Sequence, residues 1–124
     1  MPPKVGIHEA VRRAQILQAA RTCIVALGYE RVTVRDVEKE AGVSTGTLVH
    51  YFGDKESMLE AALLAKVQET GIAFRAALTG AQSAWEKIER LVTASVPETD
   101  EVRDEWRLWL TFWGKSRVMS ACAP

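Results

Sequence analysis

Hydrogen-bonding chemistry in this sequence gathers at Ser44, Thr45, Gly46 and Thr47, with Val49 and His50 following at once. On a helix opening at residue 45, these six residues face outward while Val43, Leu48 and Phe52 turn inward. Small hydroxyls can meet phosphate oxygens or base edges, a glycine lets a backbone come close, and a valine can touch a thymine methyl. Such a helix is shaped to enter a DNA groove. Two short helices around an Ala-Gly-Val turn also occur in ordinary helical domains, and Ser-Thr pairs often act only as caps. Spacing by itself therefore leaves both readings open.

The flanking residues supply the elements that must hold this face. Thr33 is placed to cap a helix whose apolar positions Val34, Val37 and Ala41 fall at helical spacing. Gly42 stops that helix and lets the chain swing round, and Ser44 caps the next, expected over 45–51. Upstream, Ile16, Ala19, Ala20, Cys23, Ile24 and Leu27 define one stripe of a helix over about 11–27, ended by Gly28 with Tyr29 packing behind it. Residues 1–9, with Pro2, Pro3 and Gly6, read as an irregular, mobile leader. Downstream, Gly53 and Asp54 make a break, and a long helix is expected from residue 55 towards 77, carrying Met58, Leu59, Ala62, Leu63, Val67 and Ile72. A further helix over about 81–94 carries Trp85, Ile88, Leu91 and Val92, and a last one begins near 101 and fades after Gly114. No strand pattern or repeat is visible, so the expected fold is all-α. It divides into a reading unit over 1–54 and a helical body over 55–124.

The run AGVSTGTLVHYFGDKESML resembles the signature of the tetracycline-repressor (TetR) family of bacterial one-component regulators, and the similarity covers about residues 12–64. The resemblance implies an N-terminal three-helix DNA-binding unit with a helix-turn-helix, followed by a ligand-binding and dimerisation body. It implies a transcriptional regulator that represses by reading a palindromic operator in double-stranded DNA and is released by a small molecule. Carried over residue by residue, Thr33 and Arg35 start the positioning helix, where backbone amides and a cation meet a phosphate. Ser44, Thr45, Gly46 and Thr47 open the recognition helix. His50 and Tyr51 correspond to phosphate contacts, and Lys55 to a lysine that clamps a phosphate. Arg12 and Arg13 are placed to reach the DNA backbone or the minor groove. One departure stands out: Val49 lies where many relatives carry tyrosine, which removes one backbone hydrogen bond. At each position the competing reading is a solvated polar side chain.

Trp106, Trp109 and Trp113 fall at i, i+3 and i+7, with Phe112 beside them, and Trp85 sits on the preceding helix. Such a stripe is either core packing or an aromatic pocket wall, and aromatic faces attract quaternary ammonium groups. The leader MPPKVGI, the segment VSTGTLVHYFGDK and the late WLTFW are similar to the betaine-synthesis repressor (BetI) subgroup, which responds to choline. That resemblance implies a quaternary ammonium effector.

The remaining features mostly exclude. Sixteen basic residues balance sixteen acidic ones, which rules out a histone-like binder and leaves room for local positive charge. Cys23 and Cys122 form no ligand-like pair, Cys23 reads as a packed free thiol, and His8 and His50 are too isolated for a metal site. No phosphate loop or nucleophile–base pair is present, so neither an enzyme nor a cofactor is expected. Nor is there a bilayer-length apolar run or a signal-peptide core, so the expected location is the cytoplasm, with no membrane partner. Family members are longer and form homodimers through two C-terminal helices, which this chain is expected to lack as a fragment, a truncation or a frameshift product. The rival reading is an interaction protein that binds no DNA and pairs with an intact relative.

Overall fold

The computed structural model describes residues 2–114. Every regular element among them is helical: α1 (Pro2–Leu27), a 3₁₀ turn (Tyr29–Arg31), α2 (Val34–Ala41), α3 (Thr45–Phe52), α4 (Lys55–Leu78), α5 (Ala84–Ser95) and α6 (Asp100–Gly114).

The boundaries follow from local chemistry. Gly28 takes φ +88° and its N–H donates to the Ile24 carbonyl at 2.8 Å, closing α1. Thr33 and Asp36 form a reciprocal capping box at the start of α2. Gly42 is left-handed at φ +68°, and the N–H groups of Gly42 and Val43 both donate to the Glu38 carbonyl, at 2.8 and 3.2 Å. The hydroxyl of Ser44 accepts from the Thr47 N–H, and the carboxylate of Asp54 from the Ser57 N–H at 2.7 Å. These caps and stops stand where the residue types placed them.

Three expectations need correction. Residues 2–9 are the first turns of α1 rather than an irregular leader, because prolines in the opening turn have no N–H that the helix would use. Helix α5 begins at Ala84 instead of near 81, since Ser83 caps it by accepting from the Glu86 N–H at 3.1 Å. Its anticipated apolar face is not buried: Trp85, Ile88 and Val92 are all exposed. The tail that lacked a helical pattern, with Cys122, lies outside the described residues.

A single cluster of buried side chains runs through the molecule. Ile16, Ala20 and Ile24 of α1 meet Val37 of α2, Leu48 of α3, Leu59 and Leu63 of α4, and Leu108 and Phe112 of α6. Arg21, only 5% exposed, crosses from α1 to α4. It donates to the Ala62 carbonyl at 3.3 Å, to Gln18 at 2.6 Å and to the Glu69 carboxylate at 3.2 Å. Lys66 of α4 pairs with Glu105 of α6 at 3.0 Å. The shared core ties the expected reading unit firmly to α4, the element that presents Lys55.

Candidate nucleic-acid interface

Helix α3 is anchored from one side and open on the other. Leu48 is buried, and Val43, Tyr51 and Phe52 pack partly against the core. Ser44, Thr45, Gly46, Val49 and His50 are exposed, Val49 to 54%. The structure thus brings five of the anticipated residues onto one surface. Thr47 is half-buried, and its hydroxyl lies 3.1 Å from that of Ser44, a pair in which either can donate. Tyr51 is also half-buried, with the His50 ring edge-on to it at 5.2 Å between centroids.

Lys55 joins this surface through a shallow groove of about 100 Å³ lined by Val34, Thr45, Leu48, Val49, Lys55 and neighbours. Thr33 and Arg35, at the start of α2, are exposed. Arg12 is exposed on α1, whereas the Arg13 guanidinium sits 5.2 Å from the centre of the Phe52 ring. Arg13 therefore braces the end of α3 as well as offering charge.

Gly46 carries a particular message. A Cβ added there would meet only the Ser44 hydroxyl, at an ordinary 3.8 Å, and its φ is not positive. The fold has room for alanine, which would suit a helix better by about 0.5–1 kcal/mol. The fold itself thus places no demand for glycine at this position.

Electrostatics here are local. The Asp36 carboxyl is held below its ordinary range, first by the Thr33 backbone N–H and then by the Thr33 hydroxyl, with Lys39 assisting. Burial pushes the Cys23 thiol up, helped by Glu40 and Asp36, which fits an inert packed thiol. Among the described residues no cluster of His, Cys, Asp or Glu could hold a metal ion, and no helix is long and apolar enough to cross a membrane.

Residues 16–62, from the first buried residue of α1 into α4, match the family model described as bacterial regulatory proteins, tetR family. The chain is 34% identical over 117 residues to the HTH-type transcriptional regulator BetI of Burkholderia thailandensis, and 33% identical over the same length to BetI of Stenotrophomonas maltophilia. Residues 16–62 are thus a TetR-family domain. Each alignment covers 92% of this chain, which spans 58% of the length of those relatives. A TetR-family regulator from Rhodococcus sp. superposes with a TM-score of 0.72 at 29% identity, over 89% of this chain and 64% of its own. The fatty acid degradation regulator FadR of Bacillus halodurans shares the fold, with a TM-score of 0.60 at 23% identity over 83% of this chain and 62% of its own.

Beyond the exposed face of α3, a second concavity of about 240 Å³ lies between α4, α5 and α6. Trp106, Trp109 and Trp113 line it together, with Phe74 and Val102. Trp109 stacks obliquely on Trp113 at 6.0 Å, and the Trp106 indole N–H donates to the Ser95 carbonyl at 2.9 Å. Trp85 is absent from the lining and is 74% exposed. The residues of α6 that fill the core are Leu108 and Phe112, and Trp109 packs partly against them, whereas Trp106 and Trp113 are exposed.

Sequence reasoning missed Glu38, Arg21 and the non-tryptophan walls of the cleft. Glu38 accepts a hydrogen bond from the Thr45 hydroxyl across the turn, seven residues away. Nothing in the α1 pattern pointed Arg21 towards Glu69.

Proposed function

We propose that this chain is the operator-reading part of a transcriptional repressor, with α3 entering the major groove of double-stranded DNA. The observation that carries this reading is the exposed, serine-capped face of α3, where Thr45, Gly46, Val49 and His50 stand clear of the core with Lys55 beside them. Ser44, Thr47, Tyr51, Thr33 and Arg35 supply further hydroxyl and cationic contacts, while Arg12 and Arg13 extend the footprint along the DNA backbone. Functionally, residues 1–54 are the reader and 55–124 the regulatory body. The operator is a palindrome read by a homodimer, whose two α3 helices lie about 34–36 Å apart.

The effector proposed for the tryptophan-lined cleft is a quaternary ammonium compound. Supporting this are three indole rings around one cavity and the names of the BetI relatives. Glu105 in the wall is already neutralised by Lys66, so the ring faces supply the attraction, about 0.5–2 kcal/mol per contact.

Selection of bound sequences from a random DNA pool tests the reader. An enriched inverted repeat supports a dimeric repressor, and a single enriched half-site supports a monomeric reader. Absence of enrichment from folded chain overturns the reading and favours a partner-dependent interaction protein. Calorimetry with choline tests the cleft, where absence of heat at millimolar ligand removes the quaternary ammonium class.

A further inference from the structure

The three hydroxyls of the recognition helix are not equivalent. Those of Ser44 and Thr47 face each other at 3.1 Å, and either can be the donor, so each can turn its proton towards an incoming group. Thr45 is committed: its hydroxyl donates to the Glu38 carboxylate. A hydroxyl has one proton and two acceptor lone pairs, whereas an ionised carboxylate only accepts. With its proton held by Glu38, Thr45 has only lone pairs left to offer.

Glu38 is well rooted for that task. Its carbonyl accepts from Gly42 and Val43, closing the turn between the two helices, so the residue that shapes the turn also grips the first residue of α3. Glu38 is half-buried and Thr45 exposed, and the bond between them lies at the surface. Gly46 beside it has no side chain to crowd the approach.

We infer that Glu38 fixes Thr45 as a pure hydrogen-bond acceptor, so that the first position of the recognition helix selects an exocyclic amine in the major groove. This rests on the proposed DNA-reading role. In that groove only adenine N6 and cytosine N4 donate, whereas guanine and thymine present acceptors. Phosphate oxygens, which carry no proton, give Thr45 nothing to accept. The carboxylate bonded to it adds negative charge that repels phosphate and favours the electropositive amine. Thr45 is therefore a base reader rather than a backbone contact, and Glu38 is its positioning residue.

The test uses the whole chain and base analogues that lack one group. After selection from a random pool, adenine in the enriched site is replaced in turn by purine, or cytosine by pyrimidin-2-one, each deleting only the amine. Affinities are then measured for wild type, Glu38→Ala and Thr45→Val. At one base, amine deletion should weaken wild-type binding by roughly five- to a hundredfold and leave both variants nearly unaffected. If the variants remain as sensitive as wild type at every amine, the inference is overturned. Sensitivity lost only on removing a keto oxygen overturns it too, as does a Glu38→Ala effect spread over all positions. Should Glu38→Ala unfold on a thermal melt, the exposed Thr45→Val substitution decides alone: loss of sensitivity to one amine supports the inference, and unchanged sensitivity overturns it. Failure of wild type to enrich any sequence is a distinct outcome that removes the DNA-reading role, and this inference with it.

Discussion

Helices α3 and α5 are both short, amphipathic and capped by a serine, yet they dispose of their apolar residues in opposite ways. In α3, Leu48 is buried and Phe52 packs on the core, so the polar side is left outward. In α5 no residue is buried, and Trp85, Ile88 and Val92 stand in the open. An amphipathic pattern makes a helix, but only a neighbouring element turns its apolar side into core. For α3 those neighbours are α2 and α4, which cover its apolar side and leave its polar face outward. For α5 the apolar face itself is what a partner would meet.

The sharpest way to break this comparison is to remove the shared support. Leu59, fully buried in α4, joins the same core cluster as Leu48. Leu59→Ala should cost about 2–5 kcal/mol in urea unfolding and melt the chain in one transition. A two-step transition would mean that the halves stand independently. Next comes the working surface: Thr47→Ala should weaken operator binding by about 1–3 kcal/mol if Thr47 reads a base, measured against mismatched sites. An equal loss on every sequence would move Thr47 to the phosphate contacts.

Thr33→Ala removes one half of the α2 capping box and should cost about 1 kcal/mol of stability near neutral pH. The pH dependence has a definite sign. Asp36 has a folded pKa below its unfolded one, so its bonds to Thr33 stabilise fully above about pH 4 and are lost as pH falls through the folded value. The gap between variant and wild type should therefore narrow in acid, and a gap that widens would contradict the assignment. Gly46→Ala should raise stability by about 0.5–1 kcal/mol while weakening DNA binding, two readouts moving in opposite directions. A variant that binds as well as wild type would mean no close approach at Gly46. Smallest of all, replacing Trp85 and Ile88 by glutamine should change stability by no more than about 0.5 kcal/mol. The same pair should lower self-association in sedimentation, and a large stability loss would show that α5 is packed after all.

Most of the segment from Gly28 to Asp54 was legible because its signals are local. Thr33, Ser44 and Asp54 act within three residues of themselves, and Gly28 and Gly42 stop helices by their own backbone freedom. The α1 stripe likewise predicted its own burial, save for Leu27 at the exposed end and Leu17, which is buried outside it. What escaped depends on distance or on competition. Ser83 with Glu86 carried a capping signal that the preceding Gly80-Ala81 obscured. The exposure of α5 is a property of its neighbours, which one helix cannot report. Arg21 meets a carboxylate 48 positions away, and Glu38 meets Thr45 only because Gly42 folds the chain back.

Arg21 also bears on which arrangement of helices is stable. The facing sides of α1 and α4 are built largely from Ile, Leu, Ala and Met, and such surfaces tolerate sliding. A slip of one helical turn, about 5.4 Å, would keep much of that greasy contact. It would also carry the guanidinium away from the Ala62 carbonyl and Glu69, leaving this 5%-exposed cation with Gln18 as its remaining partner among the three. The arginine therefore serves as an alignment key that leaves α1 and α4 one acceptable register. Because α2 rests on α1 and α3 on α4, the same key sets how far α3 projects from the molecule.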